Sequence, residues 1–266
     1  MRRAPLLVLF VGLVAAATAP AATQPVLRIV FPEGLTARQM ADQSAHVRRI
    51  AIAKRSVTPQ LSGASYAAAA AAAKAPAGFR SFLRRRSVEG FLFPALYEFT
   101  PSTRAAELVR RQIATFEQRW QTVDLRAARA RQRTPYDVLT VASLVEKETV
   151  AKEERALVAA VVYNRLERGM PLAIDASLRY GLGIQGTRPI KRSHLLSDTP
   201  YNTHRFRGLP PTPIANPGLP SIRAAAKPAA VDFLYYVRKP DGVHHFFTAD
   251  EQEFCAKALE YGYRGC

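Results

Sequence analysis

An α+β fold, with short strands toward the two ends of the chain and helices between them, is what the sequence predicts. Three observations carry that prediction. Val26 to Phe31, "VLRIVF", is short and β-rich. Ser102–Gln121, Thr134–Thr149 and Lys152–Arg168 carry helical spacing or helix-end signals. "VDFLYYVRKPDGVHHFFT" is two β-rich runs around Lys239-Pro240-Asp241-Gly242, the pattern of a hairpin. The 266 residues, 48% of them hydrophobic, suffice for one large domain or two small ones with a real core.

The elements follow in order. "MRRAPLLVLFVGLVAAATAPAATQP" places two arginines before an uncharged apolar run from Ala4 to Ala22. Positive charge before an apolar run keeps the N-terminus inside and sends the rest across a membrane. The run is barely long enough to span, and its alanine-rich end also offers signal-peptidase sites. The residues leave anchor and cleaved signal open.

After the strand, Pro32-Glu33-Gly34 is a turn signal, and Thr36 with Gln39 forms a capping box for a helix to about His46. "SYAAAAAAAKAPAG" reads as a helix feeding a linker, stopped by Pro76 and Gly78. A second region begins near Arg84. "SVEGFLFPALYEF" reads as extended and half-buried. Leu108, Ile113 and Phe116 lie near one face of the next helix. Thr134, Pro135 and Asp137 open another, and Gly169 suits a left-handed stop after the helix that follows. From Met170 to Pro220 the chain is loop-rich, a length that in a compact domain often marks function. Thr248 and Glu251 are expected to cap a last helix.

The net charge is +17, which favours an anionic partner. No nucleic-acid module is present, and export argues against nucleic acid further. Cys255 and Cys266 are too few and too close for a usual zinc site. In an oxidising compartment they can close a short loop, and two free thiols is the alternative. His244 and His245 are neighbours in a strand and point to opposite faces, so a hydrogen-bonded histidine near a site is expected rather than a metal pair.

Two carboxylates stand out. On a helical wheel of Val138 to Thr149, Glu146 falls between Leu139 and Ala142, and Glu148 between Val141 and Leu144. Both border apolar surface. A carboxyl at such an edge gains a raised pKa by desolvation, as a general acid near neutral pH requires. Periodicity does not choose between them, and both can equally be surface charges paired with arginine.

"LTVASLVEKET", "VYNRLERGMPL", "YGLG", "PYNTHRFRGLPPTPIANPGLPSIRAA", "DFLYYV" and "HHFF" resemble, in order and spacing, the endolytic murein transglycosylase (YceG-like) family. "VEGFLFPALYEF" resembles that family's lead into its catalytic domain. The resemblance spans nearly the whole chain and is densest from Ser87 to Phe247. It implies a membrane anchor or signal over 1–23, a small LysM-like subdomain and linker over 24–83, and a mixed α/β catalytic domain over 84–266. It implies cleavage of the bond between N-acetylmuramic acid and N-acetylglucosamine within a glycan strand, leaving a 1,6-anhydro end. No cofactor or metal is implied. Peptidoglycan strands are the implied substrate, with an inner-membrane location, a periplasmic catalytic domain and peptidoglycan synthases as partners.

The resemblance assigns the catalytic role to the first Glu of V-E-K-E-T, Glu146, and leaves Glu148 a site-shaping role. Tyr201, Asn202 and Thr203 are expected to line the groove, with Asn216 as a further candidate. Glu89 is either a second acid near the site or a partner for one of Arg84 to Arg86. The chain departs from the family at Asp175-Ala176-Ser177, where D-P-T is common, which points to a looser turn. The poly-alanine stretch interrupts the LysM-like region and puts its glycan binding in doubt. Two rival readings remain: a non-catalytic glycan-binding or scaffold protein, and a water-using hydrolase with Glu89 or Asp175 as the second carboxylate.

Overall fold

The computed structural model describes residues 24–184 and 188–263. The expected membrane segment and Cys266 lie outside the described residues. Among the described residues no helix is long and apolar enough to cross a membrane.

The chain is mixed helix and sheet, as expected for α+β. Strand β1 (Leu27–Val30) pairs antiparallel with β2 (Leu96–Phe99), Leu27 opposite Phe99. Period-two alternation turns Leu27, Ile29, Tyr97 and Phe99 inward. Between the strands come α1 (Ala37–Arg55) and α2 (Gly63–Ala72). The capping box of Thr36 and Gln39 opens α1 as read. The helix runs past His46, since no breaker intervenes before Ser56 closes it in a left-handed conformation.

The poly-alanine stretch forms α2, which buries Tyr66 and Ala70 and leaves Ala67, Ala68, Ala71 and Ala72 exposed. A second capping box, Ser62 with Ser65, opens α2, and Tyr66 is fully buried with its hydroxyl donating to Gln112 Oε1 at 2.6 Å. A Cβ at Gly63 would lie 2.9 Å from the Ala41 carbonyl oxygen, so glycine permits the close approach to α1. One core cluster holds these elements together. It also takes Val88, Leu92, Tyr97, Phe99 and, from α3 (Ala105–Trp120), Leu108 and Val109. The first unit is therefore completed by residues beyond 83.

The second cluster is built around α5 (Pro135–Glu148), preceded by the short α4 (Arg126–Ala130). Thr134 and Asp137 cap α5 as expected. Every residue from Val138 to Val145 is at most 1% exposed. A helix apolar all round is a core helix. Packed on it are α6 (Arg155–Glu167), reached through a 3-10 turn at Lys152–Glu154, and α9 (Leu219–Ala226). Gly169 takes the expected left-handed conformation after α6 (φ +63°).

The stretch read as loop contains α7 (Asp175–Leu182) and α8 (Arg192–Leu195). Both are too short to show a period against their proline- and glycine-rich surroundings. The hairpin is present as β3 (Tyr235–Arg238) and β4 (His245–Thr248), followed by α10 (Glu251–Glu260). The N-cap of α10 is Asp250, which accepts from the Glu253 N–H; Thr248 instead hydrogen-bonds the Glu253 carboxylate.

Candidate active site

The last turn of α5 leaves the core and sends its two carboxylates to different places. Glu146 is 8% exposed. Its Oε2 accepts the Gly218 N–H at 2.9 Å, at the start of α9, and its Oε1 lies 4.0 Å from the Arg155 guanidinium. Arg155 in turn donates to Ser221 Oγ. Glu33 belongs to the same cluster, its carboxyl held above its ordinary value by burial and then by the Glu146 charge. Glu146 thus ties the end of α5 to the start of α9 and lies opposite Arg155 of α6, beside the Glu33 carboxyl.

Glu148 faces a groove of about 1110 Å³, above the roughly 300–1,000 Å³ of a typical small-molecule cleft. The groove is walled by the start of α1, the end of α5, α7, the β3–β4 hairpin and α10. The Tyr236 hydroxyl donates to Glu148 Oε2 at 3.2 Å, and Arg238 donates to its backbone carbonyl at 3.2 Å. The Ala176 N–H, in the first turn of α7, also donates to its carboxylate. Burial pushes the Glu148 carboxyl above its ordinary value; Asp175 reinforces this and the Tyr236 hydroxyl opposes it. This is the environment of a general acid. Glu146 does not line the groove. Of the two carboxylates, Glu148, the second Glu of V-E-K-E-T, is the one on the groove, while the resemblance implies the catalytic role for the first, Glu146.

Glu89 also lines the groove, but its carboxylate is committed. It accepts from the Ala37 N–H at 2.9 Å, Asn216 Nδ2 at 2.7 Å and the Tyr180 hydroxyl at 3.1 Å. Burial pushes its pKa up to about 7 against these hydrogen bonds. Arg84 pairs with Asp137 rather than with Glu89.

Asn216 is fully buried and is a brace, not a groove residue. Its Oδ1 accepts from the N–H groups of Gly90 and Leu92, both at 2.9 Å, and its Nδ2 donates to Glu89 and to the Leu35 carbonyl. Its backbone pairs with Gly34 and Leu35. It bolts the first unit to the second directly behind the groove.

Of Pro200–Thr203, Tyr201 lines the groove, its ring edge-on to Tyr180 at 5.0 Å and its hydroxyl 2.8 Å from Thr212 Oγ1. Asn202 and Thr203 do not. Asn202 is fully buried, with Nδ2 donating to the carbonyls of Leu195 and Ser197 and Oδ1 accepting from the His204 N–H. Thr203 Oγ1 accepts the Ile174 N–H and meets Ser177 Oγ at 2.8 Å. That contact, with Ser177 Oγ donating to the Ile174 carbonyl, holds the Asp175-Ala176-Ser177 turn firmly rather than loosely. Asp175 lines the groove and pairs with His204 at 2.9 Å.

The two histidines separate as strand geometry requires. His244 is half exposed and bonds Asp241, while His245 is buried against Glu154 and borders the groove. Among the described residues no group of three or more His, Cys, Asp or Glu is placed to hold a metal ion. The residue reading assigned no role to Tyr180 or Tyr236, the two phenols bonded to the groove carboxylates. Their signal lies in the tyrosines of "YGLG" and "DFLYYV". It also missed a cationic rim that includes Arg38, Lys147 and Arg238.

A family model described as the YceG-like family matches residues 12–259. A Bacillus subtilis protein named endolytic murein transglycosylase is 36% identical over 159 residues, 59% of this chain and 44% of its own. A Streptococcus pneumoniae protein of the same name is 34% identical over 157 residues, 58% of this chain and 28% of its own. The matches thus span less than half the length of these curated relatives. The crystal structure of a YceG-like protein from Listeria monocytogenes aligns with a TM-score of 0.67 at 26% identity, covering 86% of this chain and 74% of that one. With a family model matched from near one end to the other and a solved fold of the same kind, this chain belongs to the YceG-like family.

Proposed function

We propose that this protein is an endolytic peptidoglycan lytic transglycosylase whose acid is Glu148. The observation that carries the choice is the placement of Glu148 on the groove, with a raised pKa and a hydroxyl donor, while Glu146 is buried in a clasp away from it. The protonated Glu148 gives its proton to the bridging O4 oxygen as the bond from C1 of N-acetylmuramic acid breaks. The 2-acetamido oxygen of that sugar holds C1. The sugar's own C6 hydroxyl then displaces it, closing the 1,6-anhydro ring, and its proton returns to the Glu148 carboxylate. No water is consumed, and one carboxyl serves as acid and then base. Since Glu148 must begin protonated, turnover falls as pH rises through its pKa.

The strand–helix–helix–strand unit from Leu27 to Phe99 is proposed as the LysM-like subdomain; its support is that topology, with the two strands antiparallel and both helices in one core. The basic and then apolar start supports anchoring in the inner membrane with the catalytic domain in the periplasm, beside peptidoglycan synthases.

A water-using hydrolase is the reading that Glu89 and Asp175 favour, since both share the groove with Glu148. The bonds that occupy Glu89 and the His204 pairing of Asp175 weigh against it. Mass analysis of products from peptidoglycan strands separates the readings. Anhydro-muramyl ends support the transglycosylase, reducing ends the hydrolase, and uncut strands a binding protein.

A further inference from the structure

The hairpin that covers Glu148 carries one member, His245, of a buried polar pair with no part in the reaction as written. Tyr236 and Phe247 are cross-strand partners, as are Arg238 and His245. By strand alternation all four side chains share one face. That face meets the end of α5: Tyr236 bonds the Glu148 carboxylate and Arg238 its carbonyl.

His245 is clamped from the other side by Glu154, in the 3-10 turn that follows α5. Glu154 Oε1 accepts the His245 backbone N–H at 2.9 Å, and Oε2 lies 2.7 Å from Nδ1. A carboxylate only accepts, so Nδ1 carries a hydrogen. Ring and backbone are therefore both fixed. The imidazole stands perpendicular to the Tyr236 ring, centroids 5.3 Å apart at 88°, and Phe247 closes the group at 5.9 Å from Tyr236.

Both members of the pair are almost fully buried. Replacing a buried pair with apolar groups of similar bulk is often neutral for stability, because the pair must offset its own desolvation. What the pair adds is direction. We infer that Glu154 and His245 are positioning residues for the acid: they hold the Tyr236 ring so that its hydroxyl stays on Glu148. The inference rests on the reading of Glu148 as the acid. The other groups that face Glu148 are Asp175 and the Ala176 N–H from α7 and Arg238 from β3, and none of them touches the clamp by a described hydrogen bond.

The test uses His245→Asn, whose amide can still donate to Glu154 but whose ring is gone. In protein labelled at tyrosine, the Tyr236 ring signals should broaden or average in this variant. In strand cleavage, the basic limb of the pH profile should move upward, because a carboxylate that loses its hydroxyl donor holds its proton more tightly. A shift of roughly one pH unit is expected. Tyr236→Phe should move the limb the same way, and the double variant should move it no further than Tyr236→Phe alone. Unchanged Tyr236 signals, an unmoved limb, or additive shifts overturn the inference. If His245→Asn does not fold, His245→Gln carries the same readouts. A wild-type protein that cuts no strands refutes the proposed function, and the Tyr236 signals then still decide whether the clamp positions that ring.

Discussion

Asn216→Ala should destabilise the protein severely without removing any side chain that lines the groove. The magnitude follows from the partners left behind. Asn216 Oδ1 is the acceptor described for two buried donors, the N–H groups of Gly90 and Leu92. Leu35 O keeps the Asn216 backbone N–H, and Glu89 Oε1 keeps the Ala37 N–H, so the acceptors remain partly satisfied. Two orphaned donors at about 1–3 kcal/mol each give a loss of about 2–6 kcal/mol. Urea unfolding followed by far-UV circular dichroism measures it, with a lowered midpoint at unchanged slope. At temperatures where the variant stays folded, KM for peptidoglycan strands should equal that of wild type. A loss below about 1 kcal/mol, or a raised KM with full stability, would refute the brace and return Asn216 to the groove.

Other expectations follow from the same contacts. Glu89 holds its proton up to about pH 7 in the folded chain, above its ordinary value near 4.5. The native state therefore binds the extra proton between those values. Stability is greatest below about 4.5 and falls as pH rises through 7, by up to about 3 kcal/mol from this group. In Glu89→Gln this slope should vanish from denaturant midpoints measured across pH 4 to 8; an unchanged slope contradicts the assignment. Gly90→Ala meets Pro213 Cγ at 2.7 Å in a left-handed conformation (φ +90°), so a loss of about 2–4 kcal/mol by thermal or urea unfolding is expected. Tyr66→Phe strips Gln112 Oε1 of its donor in the first core, and calorimetry should find a loss of about 1–2 kcal/mol.

Local chemistry was legible wherever it is decided within a few residues. The capping boxes at Thr36 and Thr134, the left-handed stop at Gly169 and the hairpin turn at Lys239–Gly242 each depend on neighbours in sequence. The choice between Glu146 and Glu148 was not legible, because α5 is buried on every side and presents no polar face against which to orient a wheel. The roles of Asn202 and Asn216 were hidden for another reason. A loop asparagine lines a groove or braces a fold according to its partners, and those of Asn216 lie up to 181 residues away. The poly-alanine run was legible as a helix, because alanine signals helix, but alanine does not say what the helix packs on. There it is the small side chains and Gly63 that let α2 lie close to α1.

The most direct test of the account compares Glu148→Gln with Glu146→Gln in cleavage of peptidoglycan strands, with products read by mass. The account predicts that Glu148→Gln abolishes anhydro-muramyl ends while remaining folded. Glu146→Gln should be less stable, through its lost charge opposite Arg155, yet keep forming those ends below its melting temperature. Loss of anhydro ends in a well-folded Glu146→Gln, with Glu148→Gln still active, would contradict it.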